Sequence, residues 1–257
     1  WYTCFLYSKT IKNLKLKTSV SALEKRKLLL LDLVSYVPRQ IVPKIYLSSS
    51  EISWAQQKLL GFGITKKDTI FMINALGSKE PKTYPLHYMA HILDEIVEKI
   101  NCKLLLNYKP CQRAKILQLF SMCSVKTQQN IYLDVYEESL RSFLALASQC
   151  DAVVGNEGGA INIAKALNVP TFSIFSPGVK KEIWGILEKE NKHISVHVDE
   201  YLPRSGESRF SSKNRNKNYS SYHKFTPDLF LNKLLKFLIV VQRPKEKIAQ
   251  SPKVGIL

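Results

Sequence analysis

The sequence predicts an α/β fold, a parallel sheet with helices on both faces, and three observations predict it. From about Lys44 onward, short apolar runs alternate with amphipathic segments. That alternation builds strand–helix–strand units with right-handed crossovers. The run TIFMINAL (69–76) is continuously apolar, as a strand buried on both sides must be, and KLLLNY (103–108) and TFSIF (171–175) read as further strands. Finally, 45% of the 257 residues are hydrophobic, enough to bury a core rather than leave the chain disordered.

The elements follow in order. IYLS (45–48) reads as a short strand, and a helix over Glu51–Leu60 takes Ser49 or Ser50 as its cap. Strand 69–76 comes next. Helix 86–100 places Leu86, Met89, Ala90, Leu93, Ile96, Val97 and Ile100 on one stripe of period 3.6. Strand 103–108, helix 111–123 and strand IYLDV (131–135) continue the pattern. Helix 138–149 carries Leu140, Phe143, Leu144 and Ala147 at helical spacing. AVVGN (152–156), helix 160–168 and TFSIF (171–175) complete the run. At the ends, residues 21–36 form one helical segment, and Thr226-Pro227 opens a last helix with Thr as cap and Pro in the first turn. Ser205–Ser221 reads as a loop and 243–257 as a tail.

Charge and cysteines bound the function. The net charge is +17, and part of it is local. Lys9–Lys27 holds seven basic residues against Glu24, and Leu202–Lys224 holds six against Glu207. Such patches favour polyanions, although charge runs are commonly just solvated. The five cysteines (Cys4, Cys102, Cys111, Cys123, Cys150) are odd in number with no CxxC pair, which argues against a disulfide framework and a zinc site. Cys102, Cys123 and Cys150 sit in apolar contexts and read as core thiols in a reducing compartment. No apolar run reaches the ~20 residues of a spanning helix. The chain begins with Trp1 rather than Met, and is read as a fragment of a longer product.

In a parallel sheet, ligands sit beyond the carboxyl ends of the strands, where the strand order switches. Three corners qualify. The first is GNEGGAIN (155–162), whose glycines admit a close ligand and whose helix amides suit a diphosphate. Glu157 would repel phosphate there, so it fits better as an acceptor from sugar hydroxyls or as a cap. On spacing alone, a plain glycine turn with a capping acid is the simpler explanation. The second is LGSKEPKTYP (76–85): Gly77 for the turn, Ser78 for a hydroxyl, Lys79 and Lys82 as mobile charges for phosphate. The third is FSPGVKKEIW (175–184), where Lys180 and Lys181 add charge near the rim and Trp184 packs. Tyr136 and Glu137, at another strand's end, could border a base. His87 and His91 stand four apart without a third ligand, and His193 and His197 flank a β-like ISV. There is no GxSxG, Walker or HExxH motif.

Two of these segments carry a resemblance. GSKEPKTYP resembles the glycine/serine-to-K-W-P loop of glycosyltransferase family 9, the ADP-heptose:lipopolysaccharide heptosyltransferases. DAVVGNEGGAINIAKALNVPTFSIFSP resembles that family's D-x-x-x-G-N-D-S-G-x-x-H-x-A-A-A-L-x-x-P-T-x-x-x-F-x-P block. The resemblance covers about residues 40–200 and implies the Rossmann-like, donor-binding C-terminal half of a GT-B fold. Gly77 and Ser78 then contact the donor's phosphates and Lys82 neutralises them. Glu157 replaces the usual Asp near the donor sugar or diphosphate, Gly158 replaces a Ser or Thr, Gly159 matches the motif glycine, and Asn162 replaces a titratable His.

The organisation implied has four parts. Residues 1–43 are a remnant of the acceptor domain and linker, 44–200 the nucleotide-sugar-binding domain, 201–225 a basic polar loop, and 226–257 a C-terminal helix and tail. The implied activity is inverting transfer of a heptose from a nucleotide-sugar donor, with ADP-heptose usual, to a lipopolysaccharide core acceptor. The catalytic base is expected in the missing N-terminal domain, so the chain alone transfers little. Neither metal nor other cofactor is expected, since the lysines and helix amides would stabilise the leaving diphosphate. Anionic, lipid-linked acceptor and basic patches imply a cytoplasmic enzyme in peripheral contact with the inner membrane; nucleic acid is not an expected partner. The alternatives are a GT-B transferase for another nucleotide sugar and a non-catalytic nucleotide-binding module.

Overall fold

The computed structural model describes residues 21–30, 34–37, 41–137, 139–185, 187–188, 192–202 and 222–242. Among them six strands form one sheet: β1 Ile70–Asn74, β2 Lys103–Leu106, β3 Ile131–Tyr132, β4 Ala152–Asn156, β5 Thr171–Phe175 and β6 His193–His197. All neighbours pair in parallel. The order across the sheet is β3-β2-β1-β4-β5-β6, so the chain reverses its direction of travel between β1 and β4. This is the doubly wound, Rossmann-like arrangement, and its crevice opens at that reversal.

The continuous apolar runs are explained by two cores, one on each face. Phe71, Ile73, Leu104, Leu106, Ala152 and Val154 point into one; Ile70, Met72, Leu105 and Val153 point into the other. Successive strand residues face opposite sides, so each strand must be apolar throughout. The first core is closed by α3 (Leu86–Lys99), α4 (Arg113–Met122) and the C-terminal α9 (Leu231–Val241). The second is closed by α2 (Ser49–Gly61), α6 (Leu140–Ser148) and α7 (Gly159–Ala166). The remaining helices are α1 (Ala22–Leu30), α5 (Val125–Gln128) and α8 (Lys181–Trp184). The three expected core thiols are buried.

Local chemistry sets the helix starts. Ser48 caps α2 in a capping box with Glu51. Glu51 also receives Arg141 from α6. Arg141 first and the Ser48 amide second hold the Glu51 carboxyl down to about 2. Ser124 and Ser139 cap α5 and α6 by accepting from the Thr127 and Ser142 amides, without the reciprocal bond of a capping box.

Several boundaries differ from the sequence expectations. Residues 45–48 form no strand: the Ile45 amide bonds to Ala166 O at the end of α7, and Ser48 is committed as the α2 cap. The IYLDV strand keeps only Ile131–Tyr132 before the chain turns. The β-like stretch at 193–197 is a true edge strand, paired residue for residue with β5. At the C-terminus a 3-10 turn over Pro227–Leu229 precedes α9, and Thr226 makes no side-chain capping bond. Phe230, Leu234, Phe237 and Leu238 are nonetheless buried. Helix 21–36 is helical over Ala22–Leu30, and 34–37 is not. The basic run before residue 21, most of the 201–225 loop, the tail from 243 and Cys4 lie outside the described residues.

Candidate functional site

The crevice is built where β1 and β4 end side by side, with Asn74 opposite Gly155. Gly155 has φ +133°, and a Cβ there would sit 2.3 Å from Asn74 O, so glycine is dictated by the strand packing itself. One residue on, Asn156 ties the two corners together. It is fully buried. Its Oδ1 accepts from the Tyr84 amide at 2.7 Å. Its Nδ2 donates to Asn74 O at 3.1 Å and Ala75 O at 2.6 Å. In return Asn74 Nδ2 donates to Asn156 O at 2.7 Å, and Asn107, past β2, donates to Asn74 Oδ1 at 3.1 Å.

The loop after β1 is folded on itself. A Cβ on buried Gly77 would meet Lys82 O at 2.3 Å, because Glu80–Lys82 forms a 3-10 turn that returns the chain over residue 77. The Gly77 amide donates to Thr83 Oγ1 at 3.1 Å. Ser78, Lys79 and Lys82 are left exposed on the outside of the turn.

The loop after β4 is open instead. Gly158 is the N-cap of α7, and no side chain caps that helix. The first amides of α7 therefore present their donors outward. A Cβ on Gly159 would meet nothing within 4 Å, and one on Gly158 only Asn74 Nδ2 at 4.0 Å. The glycines at 77 and 155 are thus demanded by the protein's own backbone; those at 158 and 159 are not. Asn162 is half-buried in the first turn of α7, its amide bonded to Gly158 O at 3.2 Å.

Glu157 sits between these loops, half-buried. Burial raises its carboxyl pKa, and the charges of Lys82 and then Lys165 oppose the rise. Lys82 therefore acts across the crevice on the opposite corner. Lys165, on α7, is 5% exposed; burial lowers its pKa against the pull of Glu188 and Glu157.

The structure thus brings Gly77, Ser78, Lys82, Glu157, Gly158, Gly159 and Asn162 to the two neighbouring strand ends. The third corner contributes less. Lys181 is taken up by Ser195 O at 3.0 Å, Glu200 at 2.5 Å and Glu188 at 3.5 Å, so it adds no uncompensated charge to the rim. Trp184, expected to pack, is 37% exposed, because α8 is one turn long and leaves that ring outside. Tyr136 stacks on Tyr108 at 4.6 Å beyond the ends of β2 and β3, and Glu137 pairs with Lys58. His87 and His91 are on the exposed face of α3, and His193 meets Thr171 Oγ1 at 3.1 Å. Among the described residues no group of three His, Cys, Asp or Glu side chains could hold a metal. No helix there is long and apolar enough to cross a membrane. A shallow cavity of about 240 Å³ beside Val97–Cys102, Lys126 and Asn130 lies at the amino edge of the sheet, away from where this fold takes ligands.

Asn74, Tyr84 and Asn156 join the crevice although none was among the expected donor-binding residues. A signal existed for Asn156: an amide inside an otherwise apolar strand end needs buried partners.

Residues 4–213 match the family model "Glycosyltransferase family 9 (heptosyltransferase)". The crystal structure of a glycosyl transferase family 9 protein from Veillonella parvula DSM 2008 superposes with a TM-score of 0.67 at 14% identity, covering 87% of this chain and 61% of that one. The E. coli ADP-heptose lps heptosyltransferase II superposes with a TM-score of 0.60 at 16% identity, covering 79% and 56%. At those identities the likeness is one of fold, and the chain spans about three fifths of their length. A 135-residue stretch is 23% identical to the isoleucine–tRNA ligase of Mesomycoplasma hyopneumoniae, over 52% of this chain and 15% of the ligase; so short a match establishes no shared family.

Proposed function

The chain belongs to glycosyltransferase family 9, and from that premise we propose that it supplies the nucleotide-sugar-binding half of a glycosyltransferase that moves a heptose or related sugar. The donor's diphosphate lies between the two corners. Lys82 meets it with a mobile charge, the Ser78 hydroxyl and the Gly77 turn border it, and the uncapped amides of α7 receive the other side. Gly158 and Gly159 keep side chains out of its way. Asn162 supplies an amide where a titratable group would otherwise stand, and Glu157 takes the donor sugar's hydroxyls.

The observation that carries this reading is the pair of glycines at the open α7 terminus, where a Cβ on Gly159 would touch nothing within 4 Å. A glycine that the protein itself does not require is accounted for by a ligand that approaches the backbone closely. The chemistry proposed is inverting displacement at the anomeric carbon, with the nucleoside diphosphate as leaving group and no metal or other cofactor. The base comes from a part of the enzyme outside this chain. The proposed acceptor is an anionic, lipid-linked lipopolysaccharide core at the cytoplasmic face of the inner membrane, where a net charge of +17 favours peripheral contact.

A second reading, a different nucleotide sugar, is favoured by Glu157, Gly158 and Asn162, each of which departs from the family pattern. Titration calorimetry with ADP, UDP and GDP on the 257-residue chain separates the two. ADP is expected to bind best, and Lys82→Ala to weaken it about tenfold. Preference for another base would favour the second reading. Absence of binding to all three, or indifference to Lys82→Ala, would refute the donor-site assignment.

A further inference from the structure

Past residue 213, where the family match ends, residues 222–230 pack against the end of the loop that follows β1. Tyr84 is the point of contact. It is fully buried, and its ring meets Tyr222 edge-on with centroids 5.4 Å apart, and Phe225 and Phe230 at 6.1 Å each. Its phenol donates to Phe225 O. In the first turn of α3, Tyr88 donates its hydroxyl to His223 O at 2.8 Å. Two phenols thus hold two carbonyls that lie 141 and 135 residues further along the chain.

Tyr84 is fixed from the crevice side as well. Its amide donates to Asn156 Oδ1 at 2.7 Å, and the same Asn156 holds Ala75 O, at the start of the loop, at 2.6 Å. Between those two ends, Thr83 Oγ1 accepts from the Gly77 amide at 3.1 Å and donates to Lys79 O at 3.2 Å. The backbone that carries Ser78 and Lys82 is therefore set by its ends. One of those ends is Tyr84, and the C-terminal segment holds the phenol of Tyr84 in place. Apolar packing alone would be served by a Phe ring; the hydroxyl adds a directional bond that fixes the ring against one carbonyl.

We propose that Tyr84 is a positioning residue of the crevice, through which the C-terminal segment 222–230 sets the loop that meets the diphosphate. The proposal rests on the donor-site reading. A loop already held in one backbone geometry costs a ligand less ordering than a loose one. When the segment lets go of the Tyr84 phenol, the loop loses an anchor, and the diphosphate must supply that order itself. The coupling is reciprocal: a ligand that binds better while the segment is seated also holds the segment in its seat, by the same factor. The segment, outside the family match, thereby becomes part of the donor site without touching the phosphates through Tyr84.

The test is ADP calorimetry on the 257-residue chain as wild type, Tyr84→Phe and Phe237→Leu, with amide hydrogen exchange as a second readout. Tyr84→Phe keeps the ring and removes only the bond to Phe225 O, and ADP is expected to bind about fivefold more weakly, the worth of one hydrogen bond. Phe237→Leu loosens the same core where it meets Phe172, away from the loop. It lowers the melting temperature at least as far as Tyr84→Phe, yet leaves ADP affinity within about twofold. By reciprocity, saturating ADP slows exchange of the Phe225 and Phe230 amides, which are bonded to Tyr222 O and Pro227 O, about fivefold in the wild type. In Tyr84→Phe that slowing disappears. The exchange measurement on the wild type needs no variant to fold. Unchanged ADP affinity in Tyr84→Phe, equal weakening in Phe237→Leu, no slowing in the wild type, or slowing that survives in Tyr84→Phe would overturn the proposal and leave the donor site standing. Failure of the wild type to bind ADP would refute the donor-site reading, and this proposal with it.

Discussion

Replacing Asn156 by Ala would uncouple the two corners of the crevice, and the structure sets the cost. Three side-chain hydrogen bonds are lost: one accepted from the Tyr84 amide and two donated to Asn74 O and Ala75 O. The site is fully buried, so water does not replace them. The Tyr84 amide is the expensive loss, about 1–3 kcal/mol for a buried donor without a partner; the carbonyls, with two lone pairs each, cost less. A total of about 3–4 kcal/mol results, a large part of the roughly 5–15 kcal/mol that holds a domain. Urea unfolding reads this as a lower midpoint at constant slope. Asn156→Asp is the sharper variant. It keeps the acceptor for Tyr84 but turns an oxygen toward two carbonyl oxygens, so at neutral pH it destabilises at least as much as Ala. Protonation restores a donor. The introduced carboxyl therefore has a raised pKa in the folded chain, and the variant's deficit shrinks as pH falls through that value. A loss below about 1 kcal/mol for Asn156→Ala, or an Asn156→Asp variant that does not recover in acid, would refute the clamp.

Other outcomes follow from single contacts. Gly77→Ala places a Cβ 2.3 Å from the Lys82 backbone oxygen; the turn must open, and a loss on the order of 2 kcal/mol together with weaker ADP binding is expected by unfolding and calorimetry. Burial raises the Glu157 pKa. The folded chain therefore loses stability as pH rises through the ordinary carboxyl value, and Glu157→Gln should melt higher than wild type at pH 7 but match it near pH 4; a scan across that range reads the crossing. Burial also pushes the Cys102 and Cys123 thiols up to about 12. They should resist an aromatic disulfide reagent at pH 8 until the chain unfolds, while exposed Cys111 reacts at once and Cys111→Ser removes one fast equivalent.

An element is legible in the sequence to the extent that its cause is local. β4 and β5 occupy the anticipated residues, because a strand buried on both faces leaves an unbroken apolar signature. The expected strand at 45–48 is absent, because its apolar content is slight and its first amide is claimed by the end of α7. The edge strand at His193–His197 shows in the sequence as a β-like Ile-Ser-Val, and its flanking histidines are occupied by Thr171 and Asp199. At the crevice, the glycines, Ser78, Lys82 and Glu157 could be picked out because their residue types suit phosphates and sugars at strand ends. Asn74 and Tyr84 could not be ranked beside them, since their importance lies in bonds that span 72 to 82 residues of chain, and Asn156 shows locally only as an amide at the end of an apolar strand.

The sequence by itself determined the layers of this protein: periodicity of two or 3.6 is a local property, and it reports which faces must be covered. It also determined which loops carry phosphate-friendly groups. Only the tertiary structure decided the strand order that sets β1 against β4, so that Lys82 acts on Glu157 across a gap. It likewise brought Tyr222, well beyond both motifs, edge-on against Tyr84, with ring centroids 5.4 Å apart. Pairing between distant strands depends on how whole apolar faces fit together, and no short window of residues encodes that fit.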